Sequence, residues 1–168
     1  MAESFEAQPR DGYFQGKQGY EKWIEGLRND SIWDENCPQH DLGRRFDVHL
    51  STVYHLVDSR RCAAAYLTEC RAIVSSDISE LLREMADTYT RLIERLHTFK
   101  EGLLQKSVSC FTNQESGNAV REEQSALLES AMQDELMNVE IAKKIMCKNG
   151  MTVGHAFCHG ELNNAALN

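Results

Sequence analysis

The sequence predicts an all-α protein, an up-down helical bundle of three long helices plus one short N-terminal helix. Apolar residues recur at steps of three and four over long stretches, which is typical of helices that bury one face. No proline falls inside these stretches, and no segment alternates apolar and polar residues as a half-buried strand does. The connections between the stretches are short, which favours antiparallel neighbours.

Composition limits the classes of function. The chain has 168 residues and a net charge of −8, so we expect one domain and no nucleic-acid partner, because phosphate backbones need a basic patch. The first residues contain no apolar signal segment, and no run is long and apolar enough to span a membrane. We therefore expect a cytoplasmic protein, without membrane contact, whose six cysteines remain reduced.

Local composition predicts a division of the chain into three parts. Residues 1–17 are polar and contain Pro9, Gly12 and Gly16, and they are predicted to form a flexible N-terminal arm. Residues 18–150 are predicted to form the bundle, and residues 151–168 a C-terminal tail without sustained periodicity. Within the bundle, Gly19–Asn29 is the short helix. Trp23 is its apolar anchor, because a helix of this length needs a surface on which to pack.

Asp41–Ile73 is the predicted central helix, with Asp41 as its N-cap. Its apolar stripe predicts one buried face, and its length leaves open a break near residues 59–61. A second, mixed polar stripe either faces water or lines a pocket; it consists of Ser51, His55, Asp58, Cys62, Tyr66 and Glu69.

Two more long helices are predicted after the central one. Ile78–Lys106 carries the most regular apolar stripe of the chain, and Gly102 could end or kink it. Residues 107–117 are predicted to be a loop. Asn118–Cys147 is the closing helix, with lysines near its end and Asn149–Gly150 as a stop signal.

A pattern of aromatic and alanine positions suggests a family resemblance. Its residues are Gly19, Tyr20, Trp23, Ile24 and Leu27, then Arg60, Arg61, Ala63, Ala64, Tyr66 and Leu67, then Tyr89, Leu92, Ile93, Leu96 and Phe111. Over roughly residues 18–147 the chain resembles the C-terminal helical part of bacterial proteins similar to butirosin biosynthesis protein H. In that family acyl transfer belongs to a separate cysteine-peptidase-like domain. The resemblance therefore implies a binding module without catalytic residues.

The side chains predicted to line a ligand site are Trp23, His49, Tyr54 and His97. His49 shares a helical face with apolar residues, so we expect it to be buried and hydrogen-bonded to a carbonyl or a carboxylate. The pocket is expected between the central helix and the helix Ile78–Lys106. The sequence thus favours a non-catalytic domain that binds or senses a small organic ligand, with no catalytic residue, cofactor or metal.

Two alternatives from other classes stay open. Long helices with a widened apolar face are typical of homodimers, in which the partner copy covers the excess apolar surface. Glu94 and His97 form one Glu-x-x-His motif, the kind of metal ligand pair that ferritin-like enzymes carry on two helices. The sequence lacks a second copy of this motif, so an enzyme is the less favoured hypothesis.

Overall fold

The computed structural model describes residues 15–104, 108–112 and 114–149. Within these ranges the chain forms helices and no strand, so the predicted all-α fold is confirmed. No helix in these ranges is long and apolar enough to cross a membrane. The helices are α1 (Gly16–Arg28), α2 (Gln39–Cys70), α3 (Ser76–Leu104), α4 (Ser109–Thr112) and α5 (Gln114–Lys148), with 3-10 turns at Asp30–Ile32 and Arg71–Ile73.

The four longer helices form an up-down bundle. The short turn between α2 and α3 folds them into a pair that packs along its length, and α5 packs against both α3 and α1. Lys148 near the end of α5 forms an ion pair with Asp77 at the start of α3, at 2.7 Å, so these two helices are antiparallel. Arg28 at the end of α1 pairs in the same way with Glu122 and Glu129 of α5.

Some helix boundaries differ from the predicted ones, because backbone conformation and backbone hydrogen bonds set these boundaries rather than the apolar pattern. α1 begins at Gly16, which has a left-handed φ of 55°, so the last residues of the predicted arm are helical. α2 is continuous through residues 59–61 and begins at Gln39. The carbonyl of Pro38 accepts the first backbone hydrogen bonds, including one of 2.9 Å from Asp41, so Asp41 lies in the first turn and is not the cap.

The predicted loop 107–117 contains α4 and the start of α5. Phe111 of α4 is fully buried, and this burial explains why a short helix forms in a stretch whose local pattern predicts a loop. Gly102 lies inside α3 and does not end it. Residues 1–14 of the predicted arm and the predicted tail 151–168 lie outside the described residues.

One buried arginine holds the end of α1 against the bundle. Arg121 of α5 is 3% exposed, and its guanidinium donates to the Leu27 carbonyl at 2.9 Å. It also donates to the Phe111 carbonyl, the Asp30 carboxylate and the Asn118 side-chain oxygen. Because an arginine offers five donors in a rigid plane, this one side chain joins α1, the following turn, α4 and α5.

The mixed polar stripe of α2 faces solvent. All six of its residues are exposed: Ser51, His55, Asp58, Cys62, Tyr66 and Glu69. The buried face of α2 carries Leu42, Phe46, Val53, Val57 and Leu67, as the apolar spacing predicts. Of the polar stripe, only His55 reaches the site described below.

Candidate functional site

A groove of about 810 Å³ lies between α1 and α2. These helices are neighbours in the bundle, but α1 packs against α5 and leaves the seam with α2 open. The turn after α1 contributes Ile32 and Trp33 at one end of the groove, and Ser59 of α2 lies toward the other. The volume falls within the range of small-molecule sites.

Three glycines of α1 line the groove and leave space where larger side chains would otherwise lie. Gly16, Gly19 and Gly26 line it at helical spacing together with Trp23. A Cβ atom placed on Gly26 would meet no other atom within 4 Å, so open space lies directly above this backbone. The missing side chains therefore account for part of the volume of the groove.

A chain of three side chains crosses the floor of the groove. The indole Nε1 of Trp23 donates to Nδ1 of His49 at 2.8 Å, and Nε2 of His49 lies 3.2 Å from Oε1 of Gln124. The chain joins α1, α2 and α5. It provides a polar link across the seam between α1 and α2.

These partners fix the protonation of His49. The Trp23 indole can only donate, so Nδ1 of His49 must accept, and the ring proton sits on Nε2, which donates to Gln124. His49 is 4% exposed, and burial lowers its pKa to about 4. The imidazole is therefore neutral near pH 7, because protonation would place a second donor against the Trp23 N–H.

Aromatic rings support the floor from below. The ring of Phe111 lies 5.1 Å from the ring centres of Trp33 and Phe46 and 5.7 Å from that of His49. Nε1 of Trp33 donates to the Gly26 carbonyl at 3.0 Å. Both indole N–H groups are thus satisfied within the protein, and the floor presents mainly ring faces and aliphatic carbon to the groove.

A buried polar layer adjoins the groove at Tyr20. Arg60 forms an ion pair with the buried Glu135, and its guanidinium carbon lies 5.6 Å from the ring centre of Tyr89. Burial raises the pKa of Glu135, and the charge of Arg60 opposes that rise. Burial and the nearby Glu135 also raise the pKa of both Tyr20 and Tyr89, so the two phenols stay protonated. The layer takes one residue from each long helix and from α1.

The structure brings together two of the four predicted site residues. Trp23 and His49 line the groove, whereas the half-buried Tyr54 and the exposed His97 do not. The groove lies between α1 and α2, not between α2 and α3 where the sequence predicted it, because α2 and α3 pack closely together. His49 is buried as predicted, and the carbonyl that accepts its ring proton is the side-chain amide of Gln124; the indole donor of Trp23 was not predicted.

Several residues of the site escaped the sequence reasoning. Gln124 and Phe111 reach His49 from α5 and α4, and nothing in their local patterns indicates that contact. Arg44 and Arg45 line the groove, although a charged pair is usually a solvated surface. The spacing of Arg44 with Val48 and Thr52 on one face of α2 was the available signal.

Possible metal-ligating side chains do not cluster in the described part of the chain. No group of three or more histidine, cysteine, aspartate or glutamate side chains there could hold a metal ion. Glu94 and His97, on which the ferritin-like alternative depends, are both exposed on α3.

Comparison with known proteins leaves the site geometry as the basis for assigning a function. Family models, curated proteins and solved structures gave no match to this chain. The resemblance to the helical part of butirosin biosynthesis protein H-like proteins stays a prediction.

Proposed function

We propose that this domain is a non-catalytic binding or sensor module that takes a small organic ligand in the groove between α1 and α2. The observation that carries the proposal is the open seam itself, about 810 Å³ in volume and lined by both tryptophans of the chain. Ligand sites of helical bundles lie between helices and are mainly apolar, with few polar groups.

The indole N–H groups in the floor of the groove already have hydrogen-bond partners, which favours a ligand that makes apolar contacts there. Trp23 and Trp33 already donate to His49 and to the Gly26 carbonyl. A ligand over these rings would gain stacking and burial of carbon surface without having to satisfy either indole N–H.

A fluorescence titration tests the proposal. N-phenyl-1-naphthylamine, a neutral apolar dye, should bind saturably and quench tryptophan emission by energy transfer. Gly26→Leu should weaken binding by at least about tenfold, because the new side chain would fill the groove. Leucine is also a better helix former than glycine, so this variant should fold.

Gly43→Leu is the matched control. Gly43 lies inside α2, and a Cβ there would also meet nothing within 4 Å, but it lines a neighbouring depression and not the groove. Its dye affinity should equal that of the wild type. Equal affinity in the Gly26→Leu variant, or dye signal that rises without saturation, would contradict the proposal.

A homodimer is the second candidate. Tyr66 of α2 and Ile73 in the turn after it are 64% and 84% exposed, and such side chains favour coverage by a partner copy. Sedimentation that gives a monomer at tens of micromolar would remove this candidate and leave the ligand proposal intact.

A further inference from the structure

The charges around the groove differ in sign from the protein as a whole. The chain carries a net charge of −8, yet the charged side chains that line the groove are Lys22, Arg44 and Arg45. Among the described lining residues there is no aspartate or glutamate. A cationic rim on an acidic protein attracts anions locally and repels them elsewhere.

The three cations are not equivalent. Lys22 forms an ion pair with Glu25 at 2.6 Å, and Arg45 donates to the Ile32 carbonyl. Arg44 is exposed and has no hydrogen-bond or ion-pair partner among the described residues. Asp47 lies nearby, in the depression next to the groove, but does not pair with it. One guanidinium therefore remains available to a ligand.

The groove extends away from Arg44 as an apolar track. Its α2 wall runs from Arg44 to Ser59, about 22 Å of helix axis at the rise of an α-helix. Val48, Thr52 and Leu56 lie on that wall between the two ends. The hydroxyl of Thr52 donates to the Val48 carbonyl at 2.7 Å, so it leaves its methyl group for contact with a ligand.

We propose that the ligand is an amphipathic anion, a carboxylate on a long apolar chain, whose head group pairs with Arg44 and whose chain lies along the groove toward Leu56. This inference rests on the proposed ligand-binding function. A single available guanidinium matches a single carboxylate, which it can hold through two parallel hydrogen bonds. The apolar chain would cover Trp23 and Val48, and Val48 is 59% exposed without a ligand.

The test compares three head groups on one chain length. Dodecanoate, dodecanol and dodecyltrimethylammonium are titrated into the protein, the two ions below their micelle concentrations and the alcohol below its solubility limit, with tryptophan emission as the readout. Dodecanoate should bind about tenfold more tightly than dodecanol, and the ammonium compound should bind least tightly.

Arg44→Glu assigns the effect to one side chain. It should weaken dodecanoate binding by at least about tenfold and leave dodecanol affinity unchanged. Arg91→Glu is the control, because Arg91 is exposed on α3, lies outside the groove and gives the same change in net charge. Its dodecanoate affinity should match that of the wild type.

The outcomes separate the inference from the function on which it rests. Equal binding of dodecanoate and dodecanol, or an Arg44→Glu variant that keeps full dodecanoate affinity, would overturn the anion inference while the apolar groove stands. Binding of the neutral dye without binding of dodecanoate would overturn it as well. Failure of every dodecyl compound and of the dye would remove the proposed function together with the inference.

Discussion

The seam between α3 and α5 and the seam between α1 and α2 belong to one bundle but are built differently. On the α3–α5 side, Leu92, Leu96 and Leu128 are at most 1% exposed, and Arg95 binds Asp134 across the helices. On the α1–α2 side, glycines replace large side chains, and the Trp23–His49 hydrogen bond spans a groove. Apolar packing closes one seam, and the other remains open as a groove.

Truncation of one apolar side chain at each seam should give the largest difference in the free energy of unfolding. Leu128→Ala should lower the free energy of unfolding by about 3 kcal/mol, because it leaves a cavity in a fully buried site. Val48→Ala should change it by less than about 0.5 kcal/mol, since Val48 is mostly exposed at the groove. Urea unfolding measures both, and similar losses in the two variants would contradict a difference between the seams.

The polar link across the open seam should make stability depend on pH. The pKa of His49 is about 4 in the folded protein and 6.5 when unfolded, so the unfolded chain binds more protons between these values. The contribution of His49 to the free energy of unfolding is therefore fully present above pH 6.5. It is lost as the pH decreases toward 4, by at most about 3 kcal/mol. Unfolding in urea at a series of pH values measures this slope.

His49→Asn provides the comparison for that slope. An asparagine oxygen can still accept from Trp23 but does not titrate. The difference between wild type and variant isolates the contribution of His49 from that of every other group in the protein. If both proteins lose stability in parallel between pH 6.5 and 4, then His49 is not the group responsible.

The exposed ion pair between Lys148 and Asp77, across the seam between α3 and α5, should contribute least to stability. Hydrogen bonds from Lys148 and Ser75 lower the pKa of Asp77 to about 2. In Lys148→Met the pKa of Asp77 should rise only part of the way toward its ordinary 3.8, because Ser75 still donates to the carboxylate, and the melting temperature at pH 7 should fall only slightly, because the pair is in water. NMR titration of the Asp77 carboxyl and a thermal melt measure the two effects. A clear drop in melting temperature would mean that ion pairs, and not only apolar burial, close this seam.

The predictable part of the fold is the part that depends on near neighbours in the chain. The positions of α2, α3 and α5 follow from apolar residues at steps of three and four, and the burial of His49 follows from its place on such a face. The boundaries were less predictable. Pro38 starts α2 through its carbonyl, and the burial of Phe111 makes α4 helical within a predicted loop.

The sequence by itself determined that this chain is helical, which faces are apolar, and that Trp23 and His49 belong to a buried or half-buried surface. Only the tertiary structure decided that these two side chains meet, that Gln124 completes their hydrogen bonding, and that Arg44 borders a groove. Trp23 and His49 are 26 residues apart, and His49 and Gln124 are 75 apart. Helical periodicity is a local property, whereas an open seam depends on how every other pair of helices packs, and no local pattern contains that information.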